Sequence, residues 1–165
     1  MLIHILFNIE VGIAGGGKNF LASLMDYFID NGLYSNSIEN ADVVLFNSHH
    51  CIKSVLRSKM KYPNKLFIHR IDGPMRLYNN FNDKRDLIVN ILNKYIADGT
   101  IFQSDWSREN NLKMGILKNI NETTIINSTN NKIFYKKNRV KLDGNKKVKL
   151  ISTSWSSNIN KGFEI

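Results

Sequence analysis

Apolar residues in this chain fall into short unbroken runs, separated by stretches in which they recur at helical spacing. Leu2 to Phe7 is apolar on both alternating faces apart from His4, the pattern of a strand buried on both sides. Phe20, Leu21, Leu24, Met25, Phe28 and Ile29 then repeat every three to four residues, which predicts a helix, and Gly32 supplies its stop. ADVVLFN at 41–47 reads as a second buried strand. A helix over 49–60 would turn Ile52, Val55, Leu56 and Met60 inward and Lys53, Arg57 and Lys61 outward. KLFIHRI at 65–71 is a third strand, closed by Asp72-Gly73-Pro74, a strong turn sequence. Beyond it the pattern predicts helix over 84–97, strand over 99–103, helix over 104–117 starting at Ser104, and strand over 123–127. Strands alternating with helices predict an α/β fold, a parallel sheet with helices on both faces. Trp106, Phe7, Phe20, Phe28 and Phe46 are assigned to its core.

Residues 130–147 break the alternation. Lys132, Lys136, Lys137, Arg139, Lys141, Lys146 and Lys147 stand there against one acid, Asp143, and KVKLIST then returns to a strand pattern, with Trp155 after it. A polar linker followed by a fresh buried strand marks a domain boundary. The expected organisation is a first domain over 1–130, a basic linker over 131–146, and over 147–165 the first strand and loop of a second, truncated domain.

Composition narrows the class. The chain has 165 residues, of which 42% are hydrophobic and 22% charged, which excludes a disordered chain; no apolar run is long enough to span a bilayer. One cysteine excludes a disulfide framework and a cysteine-rich zinc site. His49-His50-Cys51 lacks zinc-ligand spacing and is read as capping and packing, so no metal site is expected. The formal charge of +9 suits anionic partners. No ordered pairing of aromatic and basic residues points to nucleic acid. MLIHILFN has no basic lead and too short an apolar core for a signal peptide, which places the expected location in the cytoplasm. Peripheral membrane contact through Lys53, Arg57 and Lys61 is the alternative to a plain solvated face.

The segment VGIAGGGKNF carries two readings. Gly12, Gly17 and Lys18 have the G-x-x-x-x-G-K spacing of a phosphate loop, in which backbone N–H groups cradle phosphates and Lys neutralises them. Asn19 stands where that motif needs a magnesium-binding hydroxyl, and VVLFN ends without an acid, so only Asp72 is left to serve the metal. The looser reading takes Gly15, Gly16 and Gly17 as a turn that lets backbone approach a ligand and aims the next helix at an anion, with no metal required.

Four segments in order make the chain resemble the N-terminal half of a family 4 glycosyltransferase of the GT-B fold. Gly16-Gly17, Leu21-Ala22, Leu24 and Gly32 resemble the family's first helix; DGTIFQSDWSREN at 98–110 resembles its strand ending in Ser with helix after it. Asn127, Asn130 and Phe134 stand at the spacing of the family's interdomain N-G-V-D-x-x-x-F, although Ser128 and Asn130 replace the Gly and the Asp. KLISTSWSSNINKGF resembles the first strand of the C-terminal domain, ending in the family's Lys-Gly.

That resemblance implies a Rossmann-like domain on the acceptor side of an enzyme that transfers a sugar from a nucleotide-sugar to a glycan, lipid or other acceptor. It further implies retention of anomeric configuration, no metal, and no cofactor beyond the nucleotide-sugar donor. Gly15, Gly16, Gly17 and Lys161 would meet the donor diphosphate, although Trp155 and Ser156 stand near where the family often carries an Arg. The family's polar group facing the donor sugar falls on HRIDGP: Asp72 when the loop is aligned, His69 when the strand is. Arg70 would be an acceptor or phosphate contact, or the partner of Asp72, and Ser104 an acceptor or sugar contact. The 165 residues alone would be inactive. Two alternatives stand beside this reading: a phosphate-loop hydrolase or kinase using Gly12, Gly17 and Lys18, and a non-enzymatic sugar-binding domain.

Overall fold

A computed structural model describes residues 1–9, 16–116 and 119–128. The chain divides into a unit spanning Met1–Thr129 and another spanning Asn130–Ile165. The linker and tail expectations, with Lys161, lie outside the described residues, as do Gly12 and Gly15.

In the first unit five strands form one all-parallel sheet in the order β1 (Ile3–Leu6), β2 (Val43–Asn47), β3 (Leu66–Ile71), β4 (Gly99–Phe102) and β5 (Glu122–Thr124). Between them run α1 (Gly16–Asp30), α2 (Ile52–Lys61), a short α3 (Met75–Tyr78), α4 (Arg85–Tyr95) and α5 (Asp105–Lys113). Every strand expected from the apolar runs up to residue 127 is present: the first four are shorter by one or two residues, and the fifth starts one residue earlier and ends three earlier than 123–127. The added α3 follows Pro74, whose fixed φ suits a helix start.

The fold is an α/β Rossmann-like sheet, and the side chains show how it is wound. Leu21 of α1 packs with Ile5 and Leu45, with Phe20, Leu24, Met25, Ile3, Ile68 and Ile101 around them, so α1 covers one face. Val55 of α2 and Leu92 of α4 pack with Val44, Phe46 and Phe67 on the other. Val89 of α4 joins Ile71, Phe102 and Ile116 there, with Leu112 of α5 against them.

The change of face has a topological cause. After α1 the chain first passes along the outer side of β1: the Ile3 N–H donates to the Leu33 carbonyl (2.8 Å) and the Ser35 N–H to the Ile3 carbonyl (2.9 Å). Ile3 and Tyr34 thus form a one-residue parallel bridge, a vestigial strand beside β1. The chain then crosses back to β2 on the opposite side, where Ile3 pairs with Val43. Right-handed crossovers that leave in opposite directions must place their helices on opposite faces. The five strands themselves run in sequence order with β1 at the end. The Tyr34 bridge shows only that the chain leaves β1 on one side and returns on the other, so the carboxyl ends of β1 and β2 flank the crevice where such sheets bind ligands.

Some apolar residues did not go where their spacing directed them. Leu56, Met60, Ile29 and Trp106 are exposed rather than core. Trp106 sits in the first turn of α5, beside Ser107, which is the residue that turns inward.

Candidate functional site

The carboxyl ends of β2, β3 and β4 deliver Asn47, Arg70 and Gln103 to one edge of the sheet. Asn47 and Arg70 are register partners, so their side chains rise on the same face. Arg70 is 3% exposed, and a guanidinium cannot be left there without counter-charge and acceptors. It has both. Nη1 donates to Asn47 Oδ1 (2.6 Å) and Asp72 Oδ1 (2.7 Å), while Nη2 donates to Gln103 Oε1 and Asn127 Oδ1 (both 3.1 Å). The Phe20 ring from α1 lies 4.4 Å from the guanidinium carbon and closes that side as a cation–π contact. The ion pair with Asp72 is one of the roles expected for Arg70.

The second oxygen of Asp72 is also held. Oδ2 accepts from Asn47 Nδ2 (3.1 Å) and from the Ser48 hydroxyl (3.0 Å), and the Asp72 N–H donates back to Ser48 Oγ (3.0 Å). Asn111 of α5 donates to the Asp72 carbonyl (2.8 Å). The carboxylate is thus fixed by charge and by two side-chain donors, with part of its surface still open to solvent.

Ser48 holds a left-handed backbone, φ 45°, which costs a non-glycine residue about 1 kcal/mol. Its N–H donates to the Arg70 carbonyl (2.8 Å), and its carbonyl accepts from His69 Nε2 (3.0 Å). A carbonyl can only accept, so Nε2 carries the imidazole proton. Cys51 is left-handed too, φ 53°, and the two strained residues bracket His49 and His50.

His69 lies away from this edge. It alternates with Arg70 to the opposite face, is wholly buried, and stacks on Phe46 with ring centroids 4.4 Å apart. Burial disfavours the imidazolium and lowers its pKa to about 4. His69 therefore acts on the site through the Ser48 carbonyl, as a neutral donor. Ser104 is likewise occupied locally: its Oγ accepts from the Ser107 N–H (3.1 Å) and caps α5.

His50 packs, in line with the capping-and-packing reading of His49-His50-Cys51, and it also lies within the field of the site's charges. Its ring lies edge-on to Phe7 at the end of β1 (5.1 Å) and 4.3 Å from the ring of His49. Desolvation lowers its pKa; Asp72 opposes that shift, while Arg85 and Lys18 reinforce it. His49 is lowered by burial first, then by His50 and Arg85, against Asp83 and Asp72. Both imidazoles are thereby biased to the neutral form at neutral pH. His50 thus feels both Lys18 and Asp72, although 54 residues of sequence separate those two. Two adjacent histidines carry no spacing signal, so only the topology could have marked them.

Gly16 and Gly17 open α1, and among the described residues a side chain added at either would meet nothing within 4 Å. Among the described residues no cluster of three or more His, Cys, Asp or Glu could hold a metal ion. No described helix is long and apolar enough to cross a membrane. Searches against protein-family models, curated proteins and solved structures find no match to the chain.

Proposed function

We propose that the Met1–Thr129 unit is the acceptor-side domain of a GT-B glycosyltransferase that takes its sugar from a nucleotide-sugar, with retention and without a metal, and needs a second nucleotide-binding domain for turnover. The observation that carries this reading is Asp72 held as an oriented carboxylate at the carboxyl ends of the strands, the end of the sheet where the glycine-led α1 starts. A carboxylate fixed in that position can accept a sugar hydroxyl or offset the positive charge that develops at the anomeric carbon. Half-buried neutral imidazoles beside it supply further acceptors for hydroxyls.

The phosphate-loop reading is the weaker one on a specific observation. That mechanism wants an acid at the end of the strand next to β1, to hold magnesium through water. That strand, β2, ends in Asn47, and Asp72, one strand further, is already paired with Arg70.

Isothermal titration of the full chain with UDP- and GDP-hexoses and with a panel of oligosaccharides tests the proposal. The expected result is binding of at least one of these that persists in EDTA and weakens at least tenfold in Asp72→Asn. No binding of any of them defeats it. Micromolar binding of ATP or GTP that requires magnesium and is lost in Lys18→Ala would put a hydrolase or kinase in its place.

A further inference from the structure

Three polar side chains are buried together between the sheet and α4, in a layer that apolar residues would fill as well. Phe46, His69 and Thr100 are register partners on β2, β3 and β4, so they form one row across the face that α4 covers. Asn93 of α4 meets that row from above. His69, Thr100 and Asn93 are 0%, 2% and 2% exposed, and the core cluster on this face is otherwise Val44, Phe46, Val55, Phe67 and Leu92. Burying three polar side chains there costs free energy that packing alone would not demand.

The hydrogen bonds give the group a direction. His69 Nε2 donates to the Ser48 carbonyl (3.0 Å), so Nδ1 of the neutral ring is bare and can only accept. Nδ1 is buried and makes no hydrogen bond among the described residues. Asn93 is the polar side chain that acts on the ring, short of hydrogen-bond geometry at Nδ1. Thr100 Oγ1 donates to Asn93 Oδ1 (2.6 Å) and so commits the amide oxygen to β4. The end of the amide that matches a bare Nδ1 is then Nδ2. Turned over, the amide would present its oxygen to the ring and favour a proton on Nδ1. Nε2 would in that case set a lone pair against the Ser48 carbonyl.

Ser48 passes this choice to the sheet edge. Its carbonyl takes the Nε2 proton and its N–H goes to the Arg70 carbonyl. Its hydroxyl donates to Asp72 Oδ2 and accepts from the Asp72 N–H, each at 3.0 Å. A left-handed serine persists only where its surroundings hold it, and these bonds are what hold Ser48.

We propose that Asn93 and Thr100 are positioning residues for Asp72: they select the tautomer of His69 that pins Ser48, and through Ser48 the carboxylate. The proposal rests on the reading of Asp72 as the group that meets the sugar, but its test needs no ligand.

Long-range proton–nitrogen spectra of the imidazoles in the full chain, with His69 assigned by its loss in His69→Gln, read the tautomer directly. The unaltered chain should carry the His69 proton on Nε2. Thr100→Val keeps the side-chain shape and removes the hydroxyl that orients the amide, so a population with the proton on Nδ1 should appear. In the same variant the Ser48 and Asp72 amides should exchange about tenfold faster, and those of Ile5 and Leu45 about twofold faster at most. Thr100→Ser keeps the hydroxyl and should restore both readouts. Should Thr100→Val fail to fold, Asn93→Leu, which removes the amide, should speed the Ser48 and Asp72 amides selectively in the same way. A proton on Nδ1 in the unaltered chain, an unchanged tautomer in Thr100→Val, or equal acceleration at Ile5 and Leu45 in either variant would overturn the proposal. The expected spectra in a chain that binds no nucleotide-sugar or oligosaccharide would defeat the functional reading and leave the positioning of Asp72 standing.

Discussion

Arg70 and Asp72 leave the end of β3 two residues apart and close on each other at 2.7 Å, with Asn47 of the neighbouring strand bonded to both. Each of the three loses its satisfaction if either of the others goes. The pair is the pivot of the sheet edge, because Gln103 and Asn127 reach it only through the second guanidinium nitrogen.

Arg70→Met removes the charge and leaves Asp72 and Asn47 facing a methyl group. An uncompensated charge in this position should cost about 3 kcal/mol in urea unfolding. Adding Asp72→Asn should recover part of that loss, since the orphaned charge is then gone. A double variant less stable than Arg70→Met alone would show that the two side chains contribute independently.

His69 makes stability fall on the acid side. Its folded pKa, about 4, lies below the ordinary 6.5, so between those values the unfolded chain binds a proton that the folded chain does not. Stability rises with pH through that window, and the full contribution, about 3 kcal/mol, is present above it and lost by pH 4. Denaturation midpoints from pH 7.5 down to 4 check this. His69→Gln, which keeps an N–H donor for the Ser48 carbonyl, should flatten the dependence over that range.

At Ser48 a strained backbone competes with a hydroxyl that serves Asp72 twice. Ser48→Ala keeps the strain and loses both hydrogen bonds, for a cost of about 2 kcal/mol. Ser48→Gly loses the same bonds but relieves the left-handed conformation, so it should be about 1 kcal/mol less harmful. The reverse order would mean that Ser48 leaves that conformation when its hydroxyl is absent.

Gly99 starts β4 with no room for a side chain: a Cβ there would lie 3.1 Å from Ile68 Cδ1 and 3.3 Å from the Asn121 carbonyl oxygen. The isoleucine tip can turn aside, but the backbone carbonyl accepts the Thr100 N–H and is fixed. Gly99→Ala should cost about 1–2 kcal/mol, read as a drop in thermal midpoint.

The apolar runs located β2, β3 and β4 closely because parallel strands covered on both faces are apolar nearly throughout. The edge strand β5, by contrast, is Glu122–Thr124, and the Ile125 and Ile126 that suggested it lie exposed beyond its end. Helix faces were less legible. Leu56 and Met60 have the spacing of a core row, yet Val55 takes the inward position and they stay out, a choice made by the sheet they pack on. The D-G-P turn and the resemblance singled out Asp72 and Arg70 for this site, but not Asn47 or Ser48, and they marked Gln103 and Asn127 only as parts of other segments. In a chain this rich in asparagine such residues carry no signal until the register sets Asn47 opposite Arg70. His69 and Arg70 are adjacent in sequence and part company only by strand alternation, which sends one under the helices and the other to the edge.

Strand neighbours in this sheet are also neighbours in sequence. Val43 pairs 40 residues after Ile3, Leu66 pairs 23 after Val43, Gly99 pairs 31 after Ile68, and Glu122 pairs 22 after Thr100. As the chain leaves a ribosome, each strand after β1 meets a finished edge, and none must wait for a later strand to insert beside it. Loop closure is correspondingly short for a parallel sheet, which favours rapid folding and limits the time any unpaired strand spends exposed to aggregation. The one step with no such template is the first: the hydrogen bonds that tie β1 to described residues elsewhere before β2 go to residues 33–35, two of them between backbones and one the His4 Nδ1 contact to the Ser35 carbonyl. The pairing of β1 with β2, across the crevice that holds His50, is therefore where folding of this unit is slowest to commit.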